Sequence, residues 1–242
     1  MHDVIVLGAV VALAFAVETA LGFGATVIAI ALGSLVLPIA EVTGPFLCLN
    51  LALSGWIAFQ GRRSIRWRVL LTRVFPLAVL GMPAGAAFGA LVDPEILRRV
   101  FGATVVVLAL LELIRLGQRE PPRSSLLVTN AALIGGGVVH GAFATGGPAI
   151  VWALGRELGE DKAALRSTLA VVWLVLNAAF LVIWAFRGLV TDTTVLEAAP
   201  LGLALLAGTI VGEIVFRRIA PARFRAAVFV VLLVAGVVLI AT

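Results

Sequence analysis

The hydrophobic positions of the chain form long apolar runs, and two of these runs are interrupted by glycine at matching places. Residues 18–32 (ETALGFGATVIAIAL) align without a gap with residues 140–154 (HGAFATGGPAIVWAL), 122 positions further along the chain. Gly24 then matches Gly146. Because glycine and proline interrupt helices, each segment is predicted to form two half-helices joined by a break.

The two breaks are flanked by short apolar runs. These cover residues 4–17 and 25–37 around the first break, and 126–143 and 148–158 around the second. A membrane-spanning helix needs about 20 residues, so these runs either cross as short helices or form re-entrant hairpins. The other runs predict longer helices at about 45–60, 74–92, 96–114, 167–186, 197–216 and 224–241. The helix count stays open between six spans with two hairpins and about ten spans.

The similarity between the two halves extends beyond the breaks. Residues 49–61 (LNLALSGWIAFQG) align with residues 176–188 (LNAAFLVIWAFRG) at a separation of 127, which matches Asn50 with Asn177. Further matches in the same order are Gly85 with Gly208, Gly89 with Gly212 and Pro94 with Pro221. The sequence therefore predicts a duplication.

Composition places the chain in a membrane. It is 62% hydrophobic and 13% charged, with a mean hydropathy of +1.17. Soluble domains contain roughly 45–50% apolar and 25% charged residues, so we predict an all-α polytopic membrane protein. Its 242 residues are expected to form one transmembrane domain, 1–242, with a first repeat at 1–116, a polar linker at 117–123 and a second repeat at 124–242. The single cysteine, Cys48, excludes a disulfide framework within the chain.

The positions of the basic residues predict the orientation. Fifteen of the 18 Lys and Arg residues fall in loops that would lie on one side of the membrane. The positive-inside rule places that side in the cytoplasm of an inner-membrane protein, with both termini outside. The high pI therefore indicates membrane topology, and no nucleic-acid partner is expected. Each half has an odd number of crossings, so the second repeat would be inverted relative to the first, as in many secondary transporters.

The breaks are the strongest candidates for chemistry. Backbone N–H groups at the start of the second half-helix carry partial positive charge and suit an anion. The candidate substrate-binding residues here are Gly22, Phe23, Gly24, Ala25, Thr26, Thr145, Gly146, Gly147 and Pro148. Glycines can instead serve close helix packing. We expect packing for the spaced pairs Gly85/Gly89 and Gly208/Gly212, and a site at the breaks.

Five polar residues in apolar sequence complete the candidate set. Thr19, Asn50 and Asn177 can donate hydrogen bonds to a substrate, or they can bond within and between helices. Glu18 and His140 are matched ionisable residues and are candidates for proton coupling. The sequence contains no phosphate-binding loop, HExxH motif or Cys/His cluster, so neither an enzyme, a cofactor nor a metal site is expected.

With two halves that each open on a glycine-interrupted apolar segment (ETALGFGAT and HGAFATGGPA), the sequence resembles the sulfite exporter TauE/SafE family of bacterial membrane permeases. The resemblance covers essentially the whole chain. It implies transport of small sulfur-containing anions or organic acids, such as sulfite or sulfoacetate. The family's motif carries over to Gly22, Gly24, Gly146, Gly147 and Pro148, and the first copy lacks the Gly-Gly pair of the second.

The resulting prediction is a secondary transporter that exports a small anion, bound mid-membrane at the two broken helices and moved by alternating access. A passive anion channel and a permease for a carboxylate or another small organic acid are the alternatives. The expected partners are the anionic substrate and the lipid bilayer. Proton coupling and a homo-oligomer stay open.

Overall fold

The computed structural model describes residues 2–116, 125–158, 161–190, 192–218 and 221–241. Within these ranges all of the regular secondary structure is helical. The helices are α1 (His2–Leu21), α2 (Ala25–Gly33), α3 (Ile39–Gln60), α4 (Trp67–Val69), α5 (Phe75–Leu91), α6 (Pro94–Leu116), α7 (Leu126–Phe143), α8 (Gly147–Leu158), α9 (Lys162–Phe186), α10 (Asp192–Arg218) and α11 (Pro221–Ala241). The predicted all-α class is confirmed. The predicted linker 117–123 lies outside the described residues.

Five helical segments in the described part of the chain are long and apolar enough to cross a membrane. They are Glu41–Gln60, Trp67–Leu91, Leu126–Phe143, Ala163–Phe186 and Ala198–Val215. Two shorter apolar segments, Val6–Leu21 and Phe229–Ala241, accompany them. Large apolar side chains remain exposed on these helices, as expected where lipid is the solvent. The protein is therefore a multi-pass membrane protein.

The helix before α5 starts earlier than the sequence predicted. Residues 62–68 read as a basic loop, yet α4 begins at Trp67 and continues through a π-helical turn, Leu70–Val74, into α5. Leu70 and Val74 are both almost fully buried, so burial of apolar side chains extends the helix towards the loop.

The chain divides into two compact units. Unit 1 contains the described residues of Met1–Phe46, Val92–Arg123 and Glu197–Thr242, and unit 2 contains those of Leu47–Leu91 and Ser124–Leu196. Each unit therefore combines helices from both predicted repeats. Unit 1 has the first break, between α1 and α2, and unit 2 has the second, between α7 and α8.

In unit 2, α5 and α7 pack backbone against backbone. A methyl group added to Gly81 would collide with the carbonyl of Ile134, and one added to Gly85 would collide with that of Val138. Because the contacts advance together along both helices, α5 and α7 run parallel. Small residues allow this close approach, so the packing role predicted for Gly85 is confirmed.

In unit 1, α10 packs against α1 through the same kind of contact. Methyl groups at Gly208 and Gly212 would collide with the carbonyls of Ala12 and Ala16. Ala12 and Ala16 precede Ile134 and Val138 by 122 positions, the separation that relates the two breaks. The packing of α10 on α1 therefore repeats the packing of α5 on α7, with Gly208 and Gly212 in the places of Gly81 and Gly85. The predicted match to Gly85 and Gly89 is one helical turn too late.

Two further helices of unit 1, α6 and α11, cross at small residues. A methyl group at Gly102 would lie 2.8 Å from the carbonyl oxygen of Gly236, and one at Gly236 would lie 2.9 Å from that of Gly102. Both helices bury a stripe of positions 127 residues apart. The stripes are 102, 105, 109 and 112 in α6, and 229, 232, 236 and 239 in α11.

Basic loops meet at one end of unit 2. The Arg66 guanidinium bonds the Asp161 carboxylate at 2.9 Å, and the Arg66 backbone N–H donates to Thr168 Oγ1 at 3.1 Å. Arg73 forms an ion pair with Glu157, at the end of α8. The loop after α3 and the loop before α9 therefore lie at the same end, as the positive-inside prediction requires of these two loops.

Candidate substrate-binding site at the helix breaks

The first break joins α1 to α2 through three residues. α1 ends at Leu21, and Gly22 and Gly24 have positive φ values of 82° and 100°. The Gly22 N–H donates to the carbonyl of Glu18 at 2.6 Å, which closes the last turn of α1. Only glycine adopts such conformations without steric cost, so both positions favour glycine where the chain turns into α2.

The second break has the same plan. α7 ends at Phe143, the Ala144 N–H donates to the carbonyl of His140 at 2.7 Å, and α8 begins at Gly147. The last residue of the first half-helix, the hydrogen bond that closes it and the first residue of the second half-helix are all displaced by 122 positions from the first break. Both predicted breaks are confirmed.

Ala144 takes the place of Gly22 in the second break. Its φ is 55°, in the left-handed region, and it is the only described non-glycine residue with a positive φ. A side chain in this conformation costs roughly 1–2 kcal/mol. The second break therefore holds a strained residue at the position where the first has glycine.

Each second half-helix begins with N–H groups that have no acceptor within their own helix. In α2 these belong to Ala25, Thr26 and Val27, since the first bond runs from the Ile28 N–H to Gly24 at 3.0 Å. In α8 they belong to Gly147 and Ala149, because Pro148 has no N–H. Both helix starts offer donors with partial positive charge, and α8 offers fewer of them.

Gly146 and Gly147 are glycines for different reasons. A methyl group at Gly146 would collide with the Gly136 carbonyl and lie 2.9 Å from His140 Cβ, so α8 folds back tightly on α7 here. A methyl group at Gly147 would meet only Trp173, at an ordinary 3.7 Å. Packing requires glycine at 146 and does not require it at 147.

Buried polar atoms without hydrogen-bond partners gather on the helices around the second break. Thr145 is 2% exposed and Asn177 is 1% exposed. Within the described residues, the Thr145 hydroxyl neither donates nor accepts a hydrogen bond, and Asn177 Oδ1 accepts none. Leaving a polar group buried and unpaired costs about 1–3 kcal/mol, so a hydrogen bond to either atom would be favourable.

His140 is the third such residue in unit 2. It is 1% exposed, and neither ring nitrogen forms a hydrogen bond of normal geometry with the described residues, although the backbone of Leu176 lies beside the ring. The ring of Phe180 meets it edge to face, with 6.1 Å between centroids. His140 Cβ also packs closely against Gly146, so the last turn of α7 contacts the break at this residue.

Asn177 belongs to a short polar chain between α3 and α9. Its Nδ2 donates to Asn50 Oδ1 at 2.7 Å, and Ser54 Oγ lies 3.2 Å from the same oxygen. The prediction treated Asn50 and Asn177 as donors, but the Asn177 atom left without a partner is the carbonyl oxygen, an acceptor. Trp173, Asn177 and Phe180 are spaced along one face of α9, and Trp173 and Phe180 both contact the α7–α8 hairpin.

In unit 1, the polar residues of the break are also buried. Glu18 is 3% exposed, and Thr19 is 1% exposed and packs against Gly212 of α10. Thr19 Oγ1 has no hydrogen-bond partner within the described residues. Phe23, in the break itself, lies 6.3 Å from Phe229 of α11 between ring centroids. Thr26, in the first turn of α2, is half-buried.

The candidate residues thus fall into two groups. Unit 1 holds Glu18, Thr19, Gly22, Phe23, Gly24, Ala25 and Thr26, and unit 2 holds Asn50, His140, Thr145, Gly146, Gly147, Pro148 and Asn177. Sequence reasoning missed Trp173 and Ser54 as neighbours of the second group. Their spacing of four residues from Asn177 and Asn50 was the available signal. Among the described residues, no three His, Cys, Asp or Glu side chains come together as a metal site.

These features define a class: multi-pass helical membrane proteins with broken helices and buried polar groups at the breaks. The family model for the sulfite exporter TauE/SafE matches residues 7–239, and the chain belongs to this family. Membership in this family indicates a membrane transporter. No curated protein and no solved structure matched the chain.

Proposed function

We propose that the protein is a secondary transporter that exports a small oxyanion, sulfite or an organosulfonate such as sulfoacetate. The anion binds mid-membrane at the broken helices, and alternating access moves it across. Membership in the family supports the sulfur chemistry. The duplicated breaks support the mechanism, because non-helical backbone survives at membrane depth only where it is buried in protein or lines a polar cavity.

The observation that carries the proposal is the set of unpaired polar groups beside the start of α8. Thr145 offers a hydroxyl donor, His140 a ring N–H, and Gly147 and Ala149 backbone N–H groups. Neutral donors and the helix dipole stabilise an anion without a fixed positive charge. No Lys or Arg side chain in the described part of the chain is fully buried, so the binding site we propose relies on these neutral groups.

The acceptor on Asn177 adds a preference within this substrate class. A carbonyl oxygen repels a fully ionised oxyanion but accepts a hydrogen bond from an O–H or N–H group. Hydrogensulfite carries a proton, and a bridging water can also provide the donor. We therefore propose that Asn177 contacts the protonated part of the substrate or its water shell.

We also propose that proton movement through Glu18 or His140 drives export. Both side chains are buried in apolar helices, next to the breaks and at matched positions. Ionisable side chains inside membrane proteins are commonly part of proton or substrate paths. Replacing the residue that carries the proton, by Glu18→Gln or by His140→Gln, should abolish the response of transport to a pH gradient. An unchanged response in E18Q and in H140Q would contradict the coupling.

The test of function is flux of labelled sulfite and sulfoacetate into proteoliposomes. We expect saturable uptake that responds to an imposed pH gradient. Non-saturating currents would favour the passive channel, saturable flux of carboxylates alone would favour the organic-acid permease, and no flux of any anion would contradict all three.

Gly147→Ala tests whether the backbone of α8 meets the anion. The added methyl group fits beside Trp173, so folding should be preserved, but it stands where an anion would approach the N–H groups. Flux and anion affinity should fall at least tenfold. Gly155→Ala is the matched control, because nothing lies within 4 Å of its new methyl group in the same helix. Equal effects of the two substitutions would contradict binding at this helix start.

The orientation is also a proposal. We propose that the basic end of unit 2 faces the cytoplasm of an inner-membrane protein and that both termini lie outside. Cys48 is the only cysteine, so Cys48→Ser gives a background in which single cysteines can be labelled. A cysteine at Ser64, in the basic loop, should resist an impermeant thiol reagent in intact cells and react after lysis.

A further inference from the structure

Trp173 covers the start of α8, which is the anion site of the proposed function. Its side chain is 6% exposed and comes from α9. The nearest ring atoms to a methyl group placed on Gly147 would be Cη2 at 3.7 Å and Cζ2 at 4.0 Å. The tryptophan therefore lies in van der Waals range of the first residue of α8, where free N–H groups begin.

The two ring atoms identify the part of the indole that faces Gly147. Cζ2 and Cη2 are adjacent carbons of the six-membered ring, and neither is bonded to the indole nitrogen. The part of the side chain nearest Gly147 is therefore apolar hydrocarbon. It occupies space beside the helix start and accepts no hydrogen bond from the N–H groups of α8.

Trp173 also lies on the face of α9 that carries the other groups of the second break. Asn177 follows one turn later, and Phe180, which contacts His140, follows after that. A ligand bound at Gly147 and Thr145 would therefore have an apolar edge on its α9 side. An apolar wall of fixed position limits the size of what fits beside it and forms no hydrogen bond with the oxyanion.

The corresponding position in unit 1 is occupied differently. Phe46 precedes Trp173 by 127 residues, and it stacks on Phe15 of α1 with centroids 4.9 Å apart and an angle of 16°. Its ring face is thus engaged in packing within α1 and α3. A tryptophan ring beside the start of the second half-helix is thus described for unit 2, which makes the two breaks chemically unequal.

From these observations we infer that Trp173 is a specificity-determining residue, which lines the α8 anion site and limits the size of the group attached to the oxyanion. The inference rests on the proposed function. It makes a separate statement: the ratio between large and small substrates depends on the indole ring, while recognition of the oxyanion depends on the donors of Thr145, His140 and α8.

The test measures competition by a size series of anions against labelled sulfite in proteoliposomes. The series is methanesulfonate, ethanesulfonate, sulfoacetate and benzenesulfonate. Trp173→Phe keeps an aromatic ring but withdraws the outer edge, and Trp173→Ala removes the ring. Trp56→Phe and Trp56→Ala are the controls, because Trp56 lies on α3 and is 57% exposed.

We expect both Trp173 variants to improve inhibition by the larger sulfonates at least fivefold relative to sulfite, with Trp56 variants unchanged. An unchanged ratio in folded Trp173→Phe would overturn the inference, as would an equal loss for all anions. If the wild-type protein transports none of these anions, the proposed function fails instead. The two failures are therefore distinguishable, and folding of each variant is checked by its elution from size exclusion in detergent.

Discussion

Asn177 of α9 donates a hydrogen bond of 2.7 Å to Asn50 of α3, and the two residues are also each other's counterparts in the two halves of the sequence, 127 positions apart. Other contacts between these helices advance in opposite directions, from Gly55 with Leu174 to Gly61 with Ser167. The asparagines thus sit where two antiparallel helices cross. Equivalent residues meet on a twofold axis wherever a helix and its counterpart cross that axis, so this contact is consistent with the predicted inverted repeats.

The first prediction concerns the energy of this pair. Asn50→Leu leaves Asn177 Nδ2 and Ser54 Oγ without their shared acceptor, and unpaired buried groups cost about 1–3 kcal/mol each. Asn177→Leu should lower the stability by less, because Ser54 Oγ still donates its hydrogen bond to Asn50 Oδ1. In thermal unfolding in detergent, the double variant should lose less stability than the sum of the single variants. Additive losses would contradict a direct interaction.

The break boundaries could be predicted from sequence because their cause is local. Gly22 and Gly24 adopt positive φ values that other residues avoid, and Pro148 cannot continue a helix from α7. The signal is therefore carried by the residues at the break. The same holds for Glu112 and Arg115, which lie three residues apart on α6 and whose side chains are bonded at 2.6 Å.

Helix partners could not be predicted because their cause is distant in sequence. Gly81 must be small because it packs against the carbonyl of Ile134, and the sequence around Gly81 gives no sign of that contact. A spacing of four between glycines fits several registers equally, so the match to Gly208 was placed one turn too late. Trp173 was missed for the same reason, since its contact with Gly147 appears only when α9 packs on the hairpin.

The second prediction concerns the stability cost of adding a methyl group at Gly146. Gly146→Ala forces a methyl group against the Gly136 carbonyl and His140 Cβ, and overpacking of this kind costs about 1–3 kcal/mol. Gly135→Ala is the control in α7, because its methyl group meets nothing within 4 Å. Thermal unfolding should show a clear loss for G146A and no loss for G135A. A G146A protein as stable as wild type would show that the hairpin is looser than the structure indicates.

The third prediction concerns Gly22 and Ala144, the residues that directly follow the first half-helices α1 and α7. Ala144→Gly removes the cost of a side chain at φ 55°, roughly 1–2 kcal/mol, and adds less than that in unfolded-state entropy. It should stabilise the protein by about 0.5–1 kcal/mol. Gly22→Ala, at φ 82°, should destabilise it. Changes of the same sign in A144G and G22A would contradict this comparison of the two breaks.

The fourth prediction is a pH dependence at the end of unit 2. The Ala164 N–H donates to Asp161 Oδ1, and together with the nearby Arg66 guanidinium this lowers the pKa of the Asp161 carboxyl. A carboxyl group with a lowered pKa in the folded state stabilises folding above its unfolded pKa of about 4, and that contribution disappears as pH falls further. Wild type should thus exceed Asp161→Asn in melting temperature at pH 7, and the difference should vanish in acid. A difference that persists at pH 2 would contradict the ionic origin.

The fifth prediction concerns Arg73, which holds three segments of unit 2 together. It lies in the π-helical turn before α5, forms an ion pair with Glu157 at the end of α8, and bonds Asn130 at the start of α7 with a distance of 3.0 Å. The pair is about three-quarters buried, so losing one partner leaves a poorly solvated charge.

Arg73→Glu places two acids together and should destabilise the protein. It should also lower flux, because α8 presents the proposed anion site at its other end. The exchange Arg73→Glu with Glu157→Arg restores opposite charges and should recover much of both losses. Arg63→Glu, in the basic loop, changes the same net charge and serves as the control. If the exchange recovers stability without flux, the pair matters only for folding; if it recovers neither, the direct interaction between Arg73 and Glu157 is contradicted.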